Sequence, residues 1–165
     1  MFDTIAGLPL HPLVVHATEV VVPTAALVIA LAALWPRFRR WARALPFALG
    51  LAALVLVPIS TQSGEALQER VRDSSLISTH ADLAEGLLPW IFVLFVVSGV
   101  LLWWNRAGGN SQAPRAPKWV PIVLAVTAVL AAAGTTGQAV LIGHSGATAV
   151  WSQATVGAGA PGATK

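Results

Sequence analysis

The sequence predicts an all-α, integral membrane four-helix bundle, and three observations lead to this prediction. The 165-residue chain is 56% hydrophobic and 10% charged, and its mean hydropathy is +0.72. Soluble domains carry about 25% charged residues, so this chain has too few charges to cover a water-facing surface. The apolar runs are continuous rather than alternating, which excludes the strands of a membrane β-barrel. Helices, which pair their backbone groups internally, remain as the way to cross the bilayer.

Four segments are apolar over roughly the 20 residues that a helix needs to cross a hydrocarbon core about 30 Å thick. We predict spans at approximately 13–35, 44–60, 80–104 and 119–142. We assign residues 1–152 to one four-span transmembrane domain and the Gly- and Ala-rich residues 153–165 to a disordered C-terminal tail. Because residues 1–12 contain no Lys or Arg, we do not expect a cleaved signal peptide.

The charge distribution predicts the orientation of the bundle. The loops after the first and third spans carry only basic charges: Arg37, Arg39, Arg40, Arg43, Arg106, Arg115 and Lys118. All seven acidic residues lie on the opposite side. The positive-inside rule then places the basic loops in the cytoplasm and both termini outside it, in a cell inner (cytoplasmic) membrane. Tryptophans at the predicted inner interface fit an aromatic belt: Trp35, Trp41, Trp103, Trp104 and Trp119.

Composition and motifs exclude several classes of function. The chain has no Cys, which excludes disulfides, Cys-ligated iron–sulfur clusters and thiolate haem ligation. The sequence pI is about 10.7, but the net charge is only +3 and no basic face with interleaved aromatics is present, so nucleic acid is not an expected partner. No catalytic or nucleotide-binding motif is present, which favours an electron carrier over a stand-alone enzyme.

Four histidines are the candidate cofactor-binding residues, because all of them fall near the same side of the predicted membrane. His11 and His16 open the first span, His80 opens the third, and His144 closes the fourth. In an antiparallel bundle these positions lie at the same depth in the membrane, near its outer surface. Imidazole ligates haem iron, zinc, copper and non-haem iron. For any single histidine, an interfacial or capping role is the alternative.

Glu19 extends this candidate site, since it follows His16 by three residues on one helix face. A charged side chain costs about 2.5–3.5 kcal/mol at the centre of a membrane helix. We therefore expect Glu19 to face the bundle interior, either ligating a metal together with His16, His80 and His144 or orienting an imidazole.

Local patterns around the later histidines suggest how they are held. Residues 79–82 (Thr-His-Ala-Asp) resemble a capping box with Thr79 at the N-cap, which places His80 in the first turn of a helix. The helix dipole there favours a neutral imidazole that is free to ligate. Gly143 and Gly146 flank His144 and permit a close backbone approach. The sequence shows no internal repeat strong enough to use.

The same residues resemble the membrane-protein family known as domain of unknown function 2231. Leu10 to His16 matches its Leu-His-Pro-x-x-Val-His pattern, and 60–65 matches its small, Gly-containing segment after the second span. His80 matches a histidine that often opens the third span, and 143–151 is similar to its Gly-His-x-Gly-Gly-x-x-Val-Tyr segment. The chain departs from the family by Ala17-Thr18 in place of Phe-Pro, and by Ala147 and Trp151 in place of Gly and Tyr. Some relatives are fused to Rieske-type domains, so the resemblance implies a link to electron transfer.

Three functions remain open from the sequence. The first is an electron-transfer protein with haem b held by two imidazoles, His16 with His80 or His144, whose partner is a redox protein or a quinone. The second is a divalent metal site for zinc or non-haem iron; without Cys, and with Met1 as its single methionine, the chain does not suit Cu(I). The third is a non-catalytic membrane subunit with structural histidines. In each case the lipid bilayer is the surrounding medium, and the oligomeric state is left open.

Overall fold

The computed structural model describes residues 4–5, 8–69, 75–107, 117 and 119–158. Two short strands, β1 (Thr4–Ile5) and β2 (Leu8–Pro9), pair antiparallel ahead of the first helix. In this part of the chain the helices are α1 (Leu10–Leu34), α2 (Pro36–Ala42), α3 (Leu45–Gln68), α4 (Ser75–Glu85), α5 (Leu87–Ala107) and α6 (Trp119–Ala158).

Four candidate membrane spans are present in the described residues, so the predicted fold class is confirmed. They lie at His11–Leu34, Leu45–Gln68, Ser75–Ala107 and Trp119–Ser152, with mean hydropathies between 1.8 and 2.3. The third span contains both α4 and α5, which meet at Gly86. The chain is therefore a four-span helical membrane protein.

The helices are longer than the sequence pattern predicts. α3 runs to Gln68, eight residues past the predicted end at 60, and α6 runs to Ala158, into the segment expected to be a disordered tail. Residues 159–165 of that expected tail lie outside the described residues. The predicted capping box at Thr79 is wrong, because α4 starts at Ser75 and the Thr79 hydroxyl donates to the Ser75 carbonyl at 2.8 Å. A polar helical turn continues an apolar helix without any change in backbone hydrogen bonding, so hydropathy alone marks these ends too early.

The four spans form a closed ring. α1 packs against α3 and α6, and α5 packs against the same two helices, while α1 and α5 also touch across the middle. α4 packs mainly against α6. The first half of the chain, α1 and α3, is thus a helical hairpin, and the second half, α4–α5 and α6, is another. The contacts of the two hairpins are equivalent, because α1 packs on α3 and α6 just as α5 packs on α6 and α3.

Small side chains line the centre of the ring and allow close approach between helices. The buried core combines six alanines with larger aliphatic side chains: Ala25, Ala26, Ala32, Ala53, Ala128 and Ala131 with Ile29, Ile91, Leu94 and Leu101. A Cβ on Gly50 of α3 would lie 3.0 Å from the Ser98 hydroxyl of α5. Because lipid is as apolar as leucine, packing of this kind drives association between membrane helices.

The arginines of the described residues lie at the opposite end of the bundle from His11 and His80: Arg37, Arg39, Arg40, Arg43 and Arg106. There the Arg39 guanidinium donates to the Ala32 carbonyl near the C-terminus of α1 at 3.3 Å, where a positive charge complements the helix dipole. Burial lowers the pKa of Arg39, and the neighbouring Arg40 lowers it further. We call this the arginine end and the other the histidine end.

Two glycines one turn apart on α6 provide a matched test of this packing. A Cβ on Gly134 would lie 2.7 Å from the Trp90 ring of α5, whereas a Cβ on Gly137 would meet nothing within 4 Å. We expect Gly134→Ala to destabilise the bundle by about 1–3 kcal/mol because the indole must move. Gly137→Ala should be neutral or stabilising, since Ala is the better helix former by up to about 1 kcal/mol. Unfolding in mixed micelles measures both variants, and equal losses would contradict the Trp90 contact.

Candidate histidine site

The first imidazole of the site is His11, at the start of α1, which is held against the end of α3. Its Nδ1 lies 3.1 Å from the Ser60 carbonyl oxygen and 3.1 Å from the Ser63 hydroxyl oxygen. The Ser63 hydroxyl itself donates to the Ser60 carbonyl at 2.9 Å. A Cβ on Gly64 would lie 3.0 Å from Cε1 of His11, so the missing side chain lets the ring lie against the helix.

The second imidazole is His80 of α4, which is held against α6 by the same set of contacts. Its Nδ1 lies 3.2 Å from the Ile142 carbonyl oxygen and 2.9 Å from the Ser145 hydroxyl oxygen. The Ser145 hydroxyl donates to the Ile142 carbonyl at 2.9 Å. A Cβ on Gly146 would lie 3.2 Å from Cε1 of His80.

The two contacts repeat one another residue by residue. In each, one helix supplies a backbone carbonyl, a serine three residues later and a glycine directly after that serine: Ser60, Ser63 and Gly64 in α3; Ile142, Ser145 and Gly146 in α6. Each imidazole comes from the preceding span of its own half of the chain. The two halves of the chain thus correspond in their contacts, although the sequence shows no internal repeat strong enough to use.

The hydrogen bonds determine which nitrogen of each ring is available. A carbonyl oxygen only accepts, so Nδ1 of His11 and Nδ1 of His80 must carry the proton that reaches Ser60 and Ile142. In the neutral imidazole, Nε2 then keeps its lone pair. Both rings are half-buried. The histidine end thus holds two imidazoles, each anchored through Nδ1, and in the neutral form of each ring the lone pair is on Nε2.

The other predicted site residues lie apart from this pair. His16 is exposed, and its Nδ1 donates to the Pro12 carbonyl of its own helix. His144 is also exposed, in an open cleft along α6 with Ala147, Thr148, Trp151 and Ser152. Glu19 is exposed as well, so the expectation that it faces the bundle interior is wrong.

No group of three or more His, Asp or Glu side chains that could hold a metal ion occurs in the described part of the chain. The expected metal set of His16, His80, His144 and Glu19 is therefore not brought together. Of the expected cofactor ligands, His11 and His80 are the two whose rings are hydrogen-bonded to a neighbouring helix. The close backbone approach expected beside His144 occurs at Gly146, where His80 is the neighbour, and not at Gly143, which has nothing within 4 Å.

The serines that orient the two rings were not among the predicted site residues. A signal for them does exist, because the chain contains Ser-Gly at 63–64 and again at 145–146, each near the end of a span that returns to the histidine side. A serine followed by a glycine is common enough that the pair carries weight only once a histidine is seen to pack on each.

The fold and this pair of anchored imidazoles describe a four-span membrane protein with a histidine site at one end. The chain belongs to the DUF2231 family of predicted membrane proteins, whose profile matches residues 7–158. That range includes all four histidines and the Ser-Gly pairs at 63–64 and 145–146. No curated protein and no solved structure matches the chain.

Gly146 and Gly143 form a matched pair for testing how the His80 ring is held. We expect Gly146→Ala to displace the ring and weaken its bonds to Ile142 and Ser145, because the new methyl group would lie 3.2 Å from Cε1. Gly143→Ala should leave the ring in place. The ring-nitrogen signals of ¹⁵N-histidine-labelled protein measure both: His80 should shift in the first variant and stay unchanged in the second. Equal shifts would contradict the contact.

Proposed function

We propose that this protein binds one b-type haem through His11 and His80 and carries electrons at the surface of the membrane. The observation that carries the proposal is the matched anchoring of two imidazoles by Nδ1, which makes Nε2 the ligating nitrogen of each neutral ring. A histidine that ligates a metal almost always donates its other ring N–H to a carbonyl, carboxylate or water. Both rings already meet that condition, each with a carbonyl and a hydroxyl.

The number of donors favours haem over a bare metal ion. A haem brings four nitrogen ligands of its own and needs one or two axial side chains from the protein. Structural zinc takes four protein ligands and catalytic zinc about three, more than His11 and His80 supply. The alternative, a zinc or non-haem iron site at His16, His80, His144 and Glu19, requires side chains that lie apart in the described residues.

Haem iron in such a site supplies one-electron exchange, and the chain's own groups adjust it. Hydrogen bonds from Nδ1 raise the basicity of the imidazole and thereby favour the oxidised iron. The serine hydroxyls, at 3.1 Å from His11 and 2.9 Å from His80, are the groups that a substitution can remove while the carbonyl contact stays. A redox protein or a quinone would exchange electrons at this end of the bundle.

The visible spectrum of protein produced with ample haem tests the proposal. We expect one haem per chain with a sharp reduced-haem band, lost in His11→Ala and in His80→Ala. His16→Ala and His144→Ala are the matched controls and should keep the band, because both side chains are exposed and away from the pair. A folded, colourless protein would refute haem binding. Chelator-removable zinc or iron in that protein would then support the metal site, and its absence would support a non-catalytic subunit.

We further propose that the histidine end faces away from the cytoplasm, in the cytoplasmic membrane, following the excess of arginines at the other end. The chain has no Cys, so single cysteines report the orientation cleanly. Ser75 and Arg40 are exposed at opposite ends of the bundle. In intact cells, an impermeant maleimide should label Ser75→Cys and spare Arg40→Cys until the cells are opened. The reverse pattern would overturn the orientation.

A further inference from the structure

The arginine end carries positive charge that no carboxylate of this chain balances. The sequence has no Asp or Glu between Val20 and Gly64, and none after Glu85. The acidic residues that the structure describes all lie in the half of the bundle towards the histidine end: Glu19, Glu65, Glu69, Asp82 and Glu85. The charge of Arg40 lowers the pKa of Arg39, so these two cations are close enough to repel each other. The negative charge that would offset this repulsion has to come from outside the chain.

The short helix α2 presents these charges on one face. Its inner side rests on the bundle, since Phe38 packs against the core and Ala42 is buried. Its outer side carries Arg37, Arg40 and Trp41, which are exposed and follow one another at intervals of three and four residues. α2 is therefore a surface helix whose outward face combines guanidinium groups with an indole.

Two exposed tryptophans indicate the depth of α2 in the membrane. The helix lies between the first span, which ends at Leu34, and the second, which begins at Leu45. Trp35 and Trp41 are 55% and 74% exposed, and Phe38 contacts both, with ring centroids 6.4 Å and 5.6 Å away. Tryptophan is enriched at the membrane–water interface, where its ring sits among the lipid headgroups. The arginines of α2 thus lie at the level of the lipid phosphates.

Arg43, directly after α2, occupies a backbone position that favours glycine. Its φ is +52°, and among the described residues it is the one other than glycine with a positive φ. Its N–H donates to the Arg39 carbonyl at 3.1 Å and so ends the helix. Glycine commonly takes this place after a helix because it has no Cβ to clash. An arginine held here despite that clash points to a use for its charge.

We propose that the headgroup of an anionic phospholipid binds at the arginine end, against the guanidinium groups of Arg37, Arg40 and Arg43. The planar guanidinium donates two parallel hydrogen bonds to a phosphate, which makes arginine well suited to this group. The depth set by the tryptophans favours a lipid phosphate over a soluble one. Phosphatidylglycerol fits best, because its phosphate has no amine in the same headgroup to neutralise it. The proposal depends neither on what the histidine end binds nor on which side of the membrane the arginine end faces.

Titration of phosphatidylglycerol into protein held in zwitterionic micelles tests the site through the unfolding temperature. We expect saturable stabilisation, and in the double variant Arg37→Gln, Arg40→Gln an apparent dissociation constant raised about fivefold for each arginine removed. The double variant Arg70→Gln, Arg72→Gln removes the same charge from the chain between α3 and α4, and should leave the constant unchanged. Equal effects of the two double variants, or no stabilisation of the wild-type protein, would overturn the proposal.

Arg43→Gly separates the lipid contact from the fold. Because glycine adopts a positive φ without a clash, this variant should unfold in zwitterionic micelles at the same temperature as the wild type or higher. Its apparent dissociation constant for phosphatidylglycerol should nevertheless rise about fivefold. An unchanged constant would refute the role of Arg43. Inorganic phosphate is the last comparison: stabilisation as strong as that by phosphatidylglycerol would assign the arginines to a soluble anion and overturn the lipid site.

Discussion

The structure depends on one constraint, which is that polar groups within the bilayer must find hydrogen-bond partners in the protein. Continuous helices satisfy the backbone, and hydroxyl side chains return to the carbonyl three or four residues earlier, as Thr18 does to Val14 and Thr136 to Ala132. The buried Thr135 hydroxyl, which has no partner among the described residues, is the exception. Ser63 and Ser145 obey the same rule, and each then has an oxygen left over for an imidazole from the next helix. These two serine oxygens, which can still accept a hydrogen bond, help to hold the two histidine rings.

The histidine site also requires that the helices approach closely, and glycines at the contact points allow this approach. A Cβ at Gly64 or Gly146 would come within 3.0 Å and 3.2 Å of a histidine ring, so the imidazole reaches the serine and the carbonyl only because no side chain intervenes. The same absence lets the Trp90 ring lie on Gly134 deeper in the bundle. Small residues thus set how near the helices come, and that distance decides which polar groups meet.

The two halves of the chain use the same contact although their sequences differ. His11 belongs to the long helix α1, whereas His80 lies on the separate helix α4, which meets α5 at Gly86. The partner carbonyl belongs to a serine in one half and to an isoleucine in the other, because a backbone oxygen needs no particular side chain. Only the serine and the glycine recur in the sequence, and Ser-Gly also occurs at 98–99, where the residue beside the glycine is Phe47 and not a histidine. The symmetry is therefore visible in the pairing of helices and not in the order of residues.

The sequence by itself determined the four spans, the opposed charge of the two ends and the presence of histidines at one of them. Each of these follows from composition along the chain, since hydropathy and charge act on a segment regardless of its neighbours. The tertiary structure decided which histidine rings are held by a neighbouring helix. Helical periodicity relates His16 to Glu19 but does not say which side of α1 faces the bundle, and the packing of Val22, Ala25 and Ile29 turned that side outward. The site formed instead from His11 and His80, because only the approach of α3 and α6 supplies the carbonyl and hydroxyl groups that hold a ring.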